Sequence, residues 1–359
     1  MNEFDFVAIG DTVIDAFIRL KEAEVHCRLD HTACEICMRF GDKIPYESVT
    51  IIPGVGNSAN AAVSATRLGL KTAFVSNVGD DEHGREILKA LGEEGLDTRF
   101  IQVNVDRKTN YHYVLWFADD RTILVKHEDF DYQLPDIGSP KWVYLSSTGE
   151  NSIEFHAAIA KYLSDRPGVK LAFQPGTFQM KFGIENLAAI YRRSDVFFCN
   201  REEARKILQT TEDDPKKLLQ MMHALGPKVV VITDGPKGAY AYDGRGPSAD
   251  STGSPQAGSQ PSQSYGGQAG KNSHGEFWFM PPYPDPKPPL SRTGAGDAFS
   301  STFTVALALG RSVPEALRLA PINSMSVVQH IGARAGLLTM ADIEAYLAKA
   351  PADYQPQPL

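Results

Sequence analysis

The segment TGAGD at residues 293–297 combines residue types that suit phosphate chemistry. An apolar helical pattern follows it, carrying Phe299 and Phe303. Small residues before a helix let backbone N–H groups approach an anion closely, and the helix dipole adds positive potential. Asp297, in the first turn, is placed to accept a proton from a substrate hydroxyl beside that phosphate. Taken alone, the motif is equally compatible with a glycine-rich turn in which Asp297 only begins the helix.

Strand and helix patterns alternate along the chain and must position this motif. The apolar runs that predict buried strands are Phe4–Gly10, Thr72–Gly79, Trp142–Ser147, Lys170–Gly176, Asp195–Asn200 and Lys228–Gly235. Helical patterns lie between them at Asn57–Leu68, from about Glu82 to Glu94, and from about Gly296 to Gly310. Nearly continuous apolar strands alternating with helices predict an α/β fold, a mainly parallel sheet covered on both faces.

Two segments interrupt this alternation, at residues 18–53 and 100–131. The second contains two adjacent strand patterns separated by a turn signal, which predicts a small antiparallel sheet. We call these two ranges the lid segments and assign residues 1–17, 54–99 and 132–350 to the α/β body. Residues 244–275 are rich in Gly, Ser, Pro and Gln and almost free of aliphatic side chains, so we predict a flexible loop there.

Charge and composition narrow the class of protein. The formal net charge of -8 does not favour general binding to nucleic acid or to an anionic membrane, because both are negatively charged. The first residues carry acidic side chains rather than a basic and then apolar leader, and no apolar run approaches the length of a membrane span. We therefore expect a cytoplasmic protein with a small-molecule substrate.

Five segments together resemble the ribokinase-like, or PfkB, carbohydrate kinase family. They are Pro53–Gly69, Val78–Thr98, Asn200-Arg201-Glu202-Glu203, Thr233–Gly238 and Thr293–Phe299. They occur in the family's order and span nearly the whole chain. The resemblance implies a three-layer α/β/α sandwich with a small β-sheet lid, and an ATP- and Mg²⁺-dependent kinase acting on a hydroxyl.

The resemblance also implies roles for individual residues. Asp297 would be the base, with the backbone of Gly294, Ala295 and Gly296 as the anion hole. Asn200 and Glu203 would position Mg²⁺ and the ATP phosphates, Glu203 partly through water. The nucleotide site would be lined by Thr233, Gly235, Gly238 and Asn323. The substrate would be held by Asp15, Gly56 and Asn60, since carboxylates and amides bind vicinal hydroxyls.

Two departures from the family pattern stand close to these residues. Val55 occupies the place of the first glycine in the N-terminal signature. Ser291-Arg292 replaces the Asp-Thr that often precedes the TGAGD motif, which puts activation by a monovalent cation in doubt. Arg292 has two interpretations, a contact to ATP phosphates or a side chain that faces solvent.

The cysteines form a separate question. Cys27, Cys34 and Cys37 fall within one lid segment beside His26 and His31, a spacing compatible with a structural Zn²⁺. No second C-x-x-C accompanies them, so reduced, partly buried thiols are the favoured interpretation and zinc the alternative. Cys199 is expected to pack in a strand. We also expect that two chains can form a homodimer through the lid.

Several substrate classes remain open at this point. A free sugar or a nucleoside is favoured, because Asp15 suits neutral hydroxyls, and a sugar phosphate is the alternative. Four aromatic residues are candidates to stack on a nucleobase or simply to pack a sheet: Tyr111, Tyr113, Trp116 and Phe117. Two other classes are a non-catalytic sugar- or nucleotide-binding protein and a dinucleotide-dependent oxidoreductase. The second is disfavoured because no G-x-G-x-x-G follows the first strand.

Overall fold

The computed structural model describes residues 3–27, 34–117, 120–246 and 275–359. In these ranges the strands are β1 (Phe6–Ile9), β2 (Val13–Leu20), β3 (Glu24–Cys27), β4 (Cys34–Cys37), β5 (Tyr46–Val55), β6 (Thr72–Gly79), β7 (Ile101–Asn104), β8 (Tyr111–Phe117), β9 (Asp120–Leu124), β10 (Trp142–Leu145), β11 (Lys170–Phe173), β12 (Val196–Asn200), β13 (Val229–Thr233), β14 (Ala239–Asp243), β15 (Glu276–Met280) and β16 (Gln357–Pro358). The helices are α1 (Asn57–Arg67), α2 (Glu82–Glu93), α3 (Ile153–Ser164), α4 (Thr177–Asn186), α5 (Ala188–Arg193), α6 (Arg201–Leu208), α7 (Pro215–His223), α8 (Ala295–Ala308), α9 (Val313–Val327) and α10 (Met340–Leu347).

A ten-stranded sheet forms the centre of the body, in the order β16-β15-β14-β13-β12-β11-β10-β1-β6-β7. The strands from β7 to β13 in this order run parallel, and β14, β15 and β16 pair antiparallel at one edge. The predicted apolar strands all lie in the parallel part. Their continuous apolar character follows from burial on both faces.

Two hydrophobic cores lie on opposite faces of this sheet. Alternate residues of β1 show the division, since Phe6 and Ala8 belong to one core while Val7 and Ile9 belong to the other. Helices α1, α2, α8, α9 and α10 supply the first core, and α3, α5, α6 and α7 supply the second. The predicted α/β/α sandwich is therefore confirmed.

A second sheet of four strands, in the order β5-β2-β8-β9, is the lid sheet. It differs from the lid segments in its boundaries, because β2 begins at Val13 and β5 continues to Val55. The predicted divisions at 17/18 and 53/54 were therefore wrong and fall inside strands. Residues 101–104 form β7 at the edge of the large sheet, so the second lid segment also began too early. The sequence does not show these limits because β1 and β2 are separated by only three residues.

The cysteine segment forms a small hairpin of β3 and β4. Its antiparallel register places Cys27 opposite Cys34, and the two are joined by a disulfide. The expectation of reduced thiols was wrong for this pair, because only the pairing of the strands brings the two sulfur atoms together. With both sulfurs bonded to each other, they do not offer the thiolates that zinc needs. Cys37 and the buried Cys199 are free thiols.

Strands β14 and β15 frame the low-complexity segment. Their register pairs Asp243 with Glu276, so the chain leaves and re-enters the sheet at neighbouring positions. Of the predicted flexible loop at 244–275, residues 247–274 lie outside the described part of the chain. Within the described ranges, no helix is long and apolar enough to cross a membrane. The expected homodimer through the lid stays a prediction.

Candidate active site

The candidate site lies at the carboxyl ends of the parallel strands. Strand β1 has β6 on one side and β10 on the other, so the strand order changes direction there. In open α/β sheets, ligands bind in the crevice at such a switch point. Polar residues follow the strands at this edge: Asp11 after β1, Gln174 after β11, and Asn200 and Thr233 as the last residues of β12 and β13.

The TGAGD motif forms the N-terminus of α8 and faces this edge. Gly294 precedes the helix with a φ of 81°, a conformation that favours glycine, and a Cβ on it would lie 2.7 Å from Ala333 Cα. Gly296 is exposed, and the Ala295 carbonyl accepts a hydrogen bond from Ser324 Oγ at 2.8 Å. The first N–H groups of a helix have no partner within it, so this end can bind an anion.

Asp297 occupies the first turn of α8 and is 7% exposed. Three side-chain amides donate to its carboxylate. Asn57 Nδ2 and Gln174 Nε2 lie 3.0 and 3.1 Å from Oδ1, and Asn60 Nδ2 lies 2.8 Å from Oδ2. Asn60 was predicted in the substrate site, whereas Gln174 and the role of Asn57 were missed. The available signal for Gln174 was a polar residue directly after a buried strand.

Burial raises the pKa of Asp297 from its ordinary value, and the three amide donors act in the opposite direction. The negative charge of Asp15 adds to the increase. A carboxylate with a raised pKa is a stronger base than an ordinary aspartate, and the amides favour the ionised form that can accept a proton. The arrangement is thus compatible with general-base chemistry.

Asp15, Gly56 and Asn60 approach Asp297 from the lid sheet and α1. Asp15 is a buried residue of β2, and its Oδ1 lies 3.5 Å from His112 Nδ1 on the neighbouring strand β8. Gly56 has a φ of 115°, and a Cβ there would come within 2.9 Å of the Asp11 carbonyl oxygen. Among the described residues, Asn60 Oδ1 and His112 Nε2 are buried without a hydrogen-bond partner. Buried polar atoms are normally paired, so these two are available to a ligand.

A second acidic group, Asp11, is also buried and was not predicted. Its carboxylate accepts hydrogen bonds from Tyr132 Oη at 2.8 and 2.9 Å, and His127 Nδ1 lies 3.0 Å from Oδ2. His127 and His112 are neighbours, with ring centroids 5.3 Å apart. The substrate side of the site therefore contains two aspartate–histidine pairs.

On the nucleotide side, Asn200 and Glu203 bond to each other across the start of α6. Asn200 Oδ1 accepts from the Glu203 N–H and Glu203 Oε2 accepts from the Asn200 N–H, both at 2.8 Å. Burial raises the pKa of Glu203, and the charge of Asp297 contributes to the increase. The motif is thus a capping box in its local structure. One carboxylate still fits Mg²⁺, which commonly binds through one or two carboxylates, water and substrate phosphates.

The turn after β13 carries the predicted nucleotide-site residues. Thr233 is paired in register with Asn200, which places these two polar residues side by side. Gly235 and Gly238 have φ values of 53° and 101° in the short 3₁₀ turn that follows. The turn is held in place by Asp234, whose Oδ2 lies 2.7 Å from Arg201 Nη1.

Asn323 does not fit its predicted contact to adenosine. It is completely buried, donates to Thr302 Oγ1 at 2.8 Å and accepts from the Leu338 N–H at 3.0 Å. In the structure this side chain links α9 to α8 and to the chain after α9. The sequence shows Asn323 as one of several polar residues in α9 and does not show which of them are buried.

Arg292 is exposed and lines a groove between the lid sheet and the body. The other residues lining this groove are Phe17, Trp116, Arg121, Leu290, Ser291 and Ile331. Trp116 faces the body, while Tyr113 lies on the opposite face of β8 and is 48% exposed. The candidate aromatic residues therefore do not form one stacking surface.

The fold and the site together define a ribokinase-like kinase. The family model described as pfkB family carbohydrate kinase matches residues 24–340, and the chain belongs to this family. It is therefore a phosphotransferase, and neither a non-catalytic binding protein nor an oxidoreductase.

Similar proteins agree with this assignment. The chain is 24% identical to a 5-dehydro-2-deoxygluconokinase from Halalkalibacterium halodurans, with 97% of this chain and 96% of the relative covered. It is 25% identical to a ribokinase from Bacillus subtilis, with 86% and 92% covered. Among solved structures, an Arabidopsis thaliana ribokinase complexed with ribose and ATP has a TM-score of 0.70 at 20% identity, with 96% and 98% covered. A Methanocaldococcus jannaschii nucleoside kinase has a TM-score of 0.70 at 16% identity, with the same coverage. At these identities the structures show the fold alone.

Proposed function

We propose that this protein transfers the γ-phosphate of ATP to a hydroxyl of a sugar or nucleoside, with Asp297 as the base. The observation that carries the proposal is the number of hydrogen bonds that each oxygen of the Asp297 carboxylate accepts. Its Oδ1 accepts two hydrogen bonds from amides, and its Oδ2 accepts one from Asn60. Each carboxylate oxygen has two acceptor positions. One position on Oδ2 is therefore left for the substrate hydroxyl.

The reaction then uses groups that are already oriented. The substrate hydroxyl gives its proton to Asp297 Oδ2 as its oxygen bonds to the γ-phosphorus, and the bond to the bridging oxygen of ADP breaks. Backbone N–H groups of Gly294, Ala295 and Gly296 meet the charge on the transferred phosphoryl group at the start of α8. Glu203 would help to hold Mg²⁺, partly through water, and the bound ion would neutralise phosphate charge.

The nucleotide side is proposed for the turn after β13. Gly235 and Gly238 have positive φ values and leave two positions of this turn without a side chain, and Asn200 and Thr233 lie beside it at the same sheet edge. Such a surface lets a nucleotide approach the backbone closely. A relative from Escherichia coli, 18% identical with a TM-score of 0.69, has been solved with ATP and Mg²⁺, which supports the same pair of ligands here.

The acceptor side favours hydroxyl groups. This side presents the Asp15 carboxylate and two unpartnered atoms, Asn60 Oδ1 and His112 Nε2. None of these three groups carries a fixed positive charge. A second candidate acceptor is an anionic sugar, either a sugar acid or a sugar phosphate. It is favoured by the relatives named 5-dehydro-2-deoxygluconokinase and by the two arginines, Arg121 and Arg292, in the adjacent groove. In that case the ring hydroxyls would lie at Asp15 and the anion at the groove.

The test is a screen for acceptor-dependent release of ADP. The protein is incubated with ATP and Mg²⁺ and, in turn, with free sugars, nucleosides, sugar phosphates and sugar acids that include 5-dehydro-2-deoxygluconate. Phosphorus NMR then identifies the phosphorylated product. The Asp297→Asn variant is measured in parallel. We expect one acceptor class to stimulate ADP release in the native protein only. Equal release in both proteins with every acceptor contradicts the proposal.

A further inference from the structure

Gln174 follows β11 directly, and its side-chain amide is held at both ends. The oxygen Oε1 accepts a hydrogen bond from the Tyr144 hydroxyl and lies 2.8 Å from Ser300 Oγ. The nitrogen Nε2 donates to Asp297 Oδ1 at 3.1 Å. The amide thus connects two buried hydroxyl groups to the carboxylate of the proposed base.

The neighbours determine which way this amide points. With the amide reversed, its oxygen would face the carboxylate oxygen of Asp297, and two acceptors would oppose each other. Tyr144 is completely buried, and burial raises the pKa of its hydroxyl well above the ordinary value. Tyr144 therefore stays protonated and remains a hydrogen-bond donor, which keeps Oε1 on its side and Nε2 toward Asp297.

Asn57 occupies the other acceptor position of the same carboxylate oxygen. Its Nδ2 donates to Asp297 Oδ1 at 3.0 Å, and its own Oδ1 accepts from Ser147 Oγ at 3.1 Å. Two oriented amides therefore fill Asp297 Oδ1. On Oδ2, Asn60 is the single donor among the described residues.

We infer that Gln174 is a positioning residue for the transfer reaction, which closes Asp297 Oδ1 and so directs the substrate hydroxyl to Oδ2. This inference rests on the proposed function, because it takes Asp297 as the base. It assigns no contact between Gln174 and the substrate. It has a second consequence. A hydrogen bond donated to a carboxylate favours its charged form, so Gln174 helps Asp297 to remain ionised in a buried place.

The first measurement needs no substrate. Protein labelled with ¹³C at aspartate Cγ is titrated by NMR, and the Asp297 signal is identified by its absence in Asp297→Asn. In Gln174→Met, which keeps the length of the side chain but removes the donor, the pKa of Asp297 should rise by about one to two units. This size follows from the usual strength of hydrogen bonds to charged groups.

The matched control is Gln179→Met. Gln179 is also a buried glutamine near this sheet edge, but its Nε2 donates to Ser146 O at 2.6 Å and to Thr148 Oγ1 at 3.1 Å. Its loss should lower stability and leave the pKa of Asp297 unchanged. An equal rise in both variants would mean that general loosening, rather than the Gln174 hydrogen bond, changes the carboxylate, and it would overturn the inference.

A second variant and a wild-type measurement guard against a protein that does not fold. In Gln174→Glu two carboxylates would lie about 3 Å apart and share a proton, so the upper apparent pKa of the pair should exceed that of Asp297 in Gln174→Met. In the wild-type protein, the ¹⁵N chemical shift of the Gln174 side-chain amide should change with pH at the same midpoint as the Asp297 signal. Independent titration of these two signals overturns the inference whether or not the variants fold.

The kinetic measurement uses the acceptor found in the ADP-release screen. The acid limb of kcat/KM should move to higher pH in Gln174→Met and stay in place in Gln179→Met. A shifted Asp297 pKa with an unmoved acid limb would refute the positioning role. If no acceptor supports turnover while the pKa shift is found, the proposed function fails and the Gln174–Asp297 coupling stands.

Discussion

Replacing Gly294 with alanine should lower both the stability and the turnover of the protein, because this residue is the N-cap of α8. Gly294 has a φ of 81°, and an added Cβ would lie 2.7 Å from Ala333 Cα. The contact is with backbone, which cannot rotate away as a side chain can. Gly310, just after the same helix, has a φ of 82° and open space around an added Cβ. It is therefore the matched control.

The two substitutions share one cost in unfolding free energy and differ in a second. An L-residue held in the left-handed region costs about 1–2 kcal/mol, and both variants carry this cost. Overpacking against fixed neighbours costs about 1–3 kcal/mol more, and only Gly294→Ala carries it. We therefore expect Gly294→Ala to lose more unfolding free energy than Gly310→Ala by about 1–3 kcal/mol. A shift of α8 by 1 Å would also lower kcat on the order of 10²-fold.

Chemical denaturation of the two variants measures the difference in unfolding free energy, and the ADP-release assay measures kcat. Gly310→Ala should keep nearly full turnover, since the far end of α8 does not face the site. If both variants lose the same stability and keep the same kcat, the close approach of α8 to Ala333 does not hold the anion hole. The reasoning from the backbone contact would then be wrong.

Four other predictions concern the base, the low-complexity segment and the lid. Asp297→Asn should lower kcat about 10²–10⁴-fold with ATP binding by calorimetry retained, and near-native turnover would refute the assignment. Because burial raises the pKa of Asp297, kcat/KM should fall as pH decreases through an acid limb above the ordinary aspartate value of about 3.9, and Asp297→Asn should lack this limb. Replacing residues 247–272 by a short Gly/Ser turn should leave melting temperature and activity nearly unchanged, since Asp243 and Glu276 are already paired; a large fall in melting temperature would show that the segment packs on the body. Hydrogen exchange in the lid segments, 18–53 and 100–131, should slow more with acceptor plus a non-hydrolysable ATP analogue than with the analogue alone; equal protection would count against substrate-driven closure.

Local patterns were enough to find the body of the fold. The predicted strand at Thr72–Gly79 has the bounds of β6, and the helix predicted from Asn57 to Leu68 differs from α1 by one residue. These elements are readable because each buried strand is a continuous apolar run and each helix has its own periodic face. The TGAGD motif was likewise placed correctly at the start of a helix.

Boundaries between the two sheets were not readable in the same way. Val13 and the residues after it continue the apolar character of β1, although they belong to the lid sheet. A local pattern indicates that a strand is buried or half-buried. It does not indicate which sheet the strand joins. The Cys27–Cys34 disulfide depends in the same way on the register of β3 against β4. Asn323 illustrates the converse, since its type suits a ligand while its place in α9 buries it.

The sequence by itself determined the order of the elements, the family and the identity of the proposed base. Only the tertiary structure decided what surrounds that base. Asn57, Asn60 and Gln174 are separated from Asp297 by 240, 237 and 123 residues along the chain, and α1 and the segment after β11 bring them to one carboxylate on α8. A hydrogen bond depends on distance and direction between atoms. No local spacing encodes those quantities, because the strand order and the packing of α1 and α8 on the sheet set them.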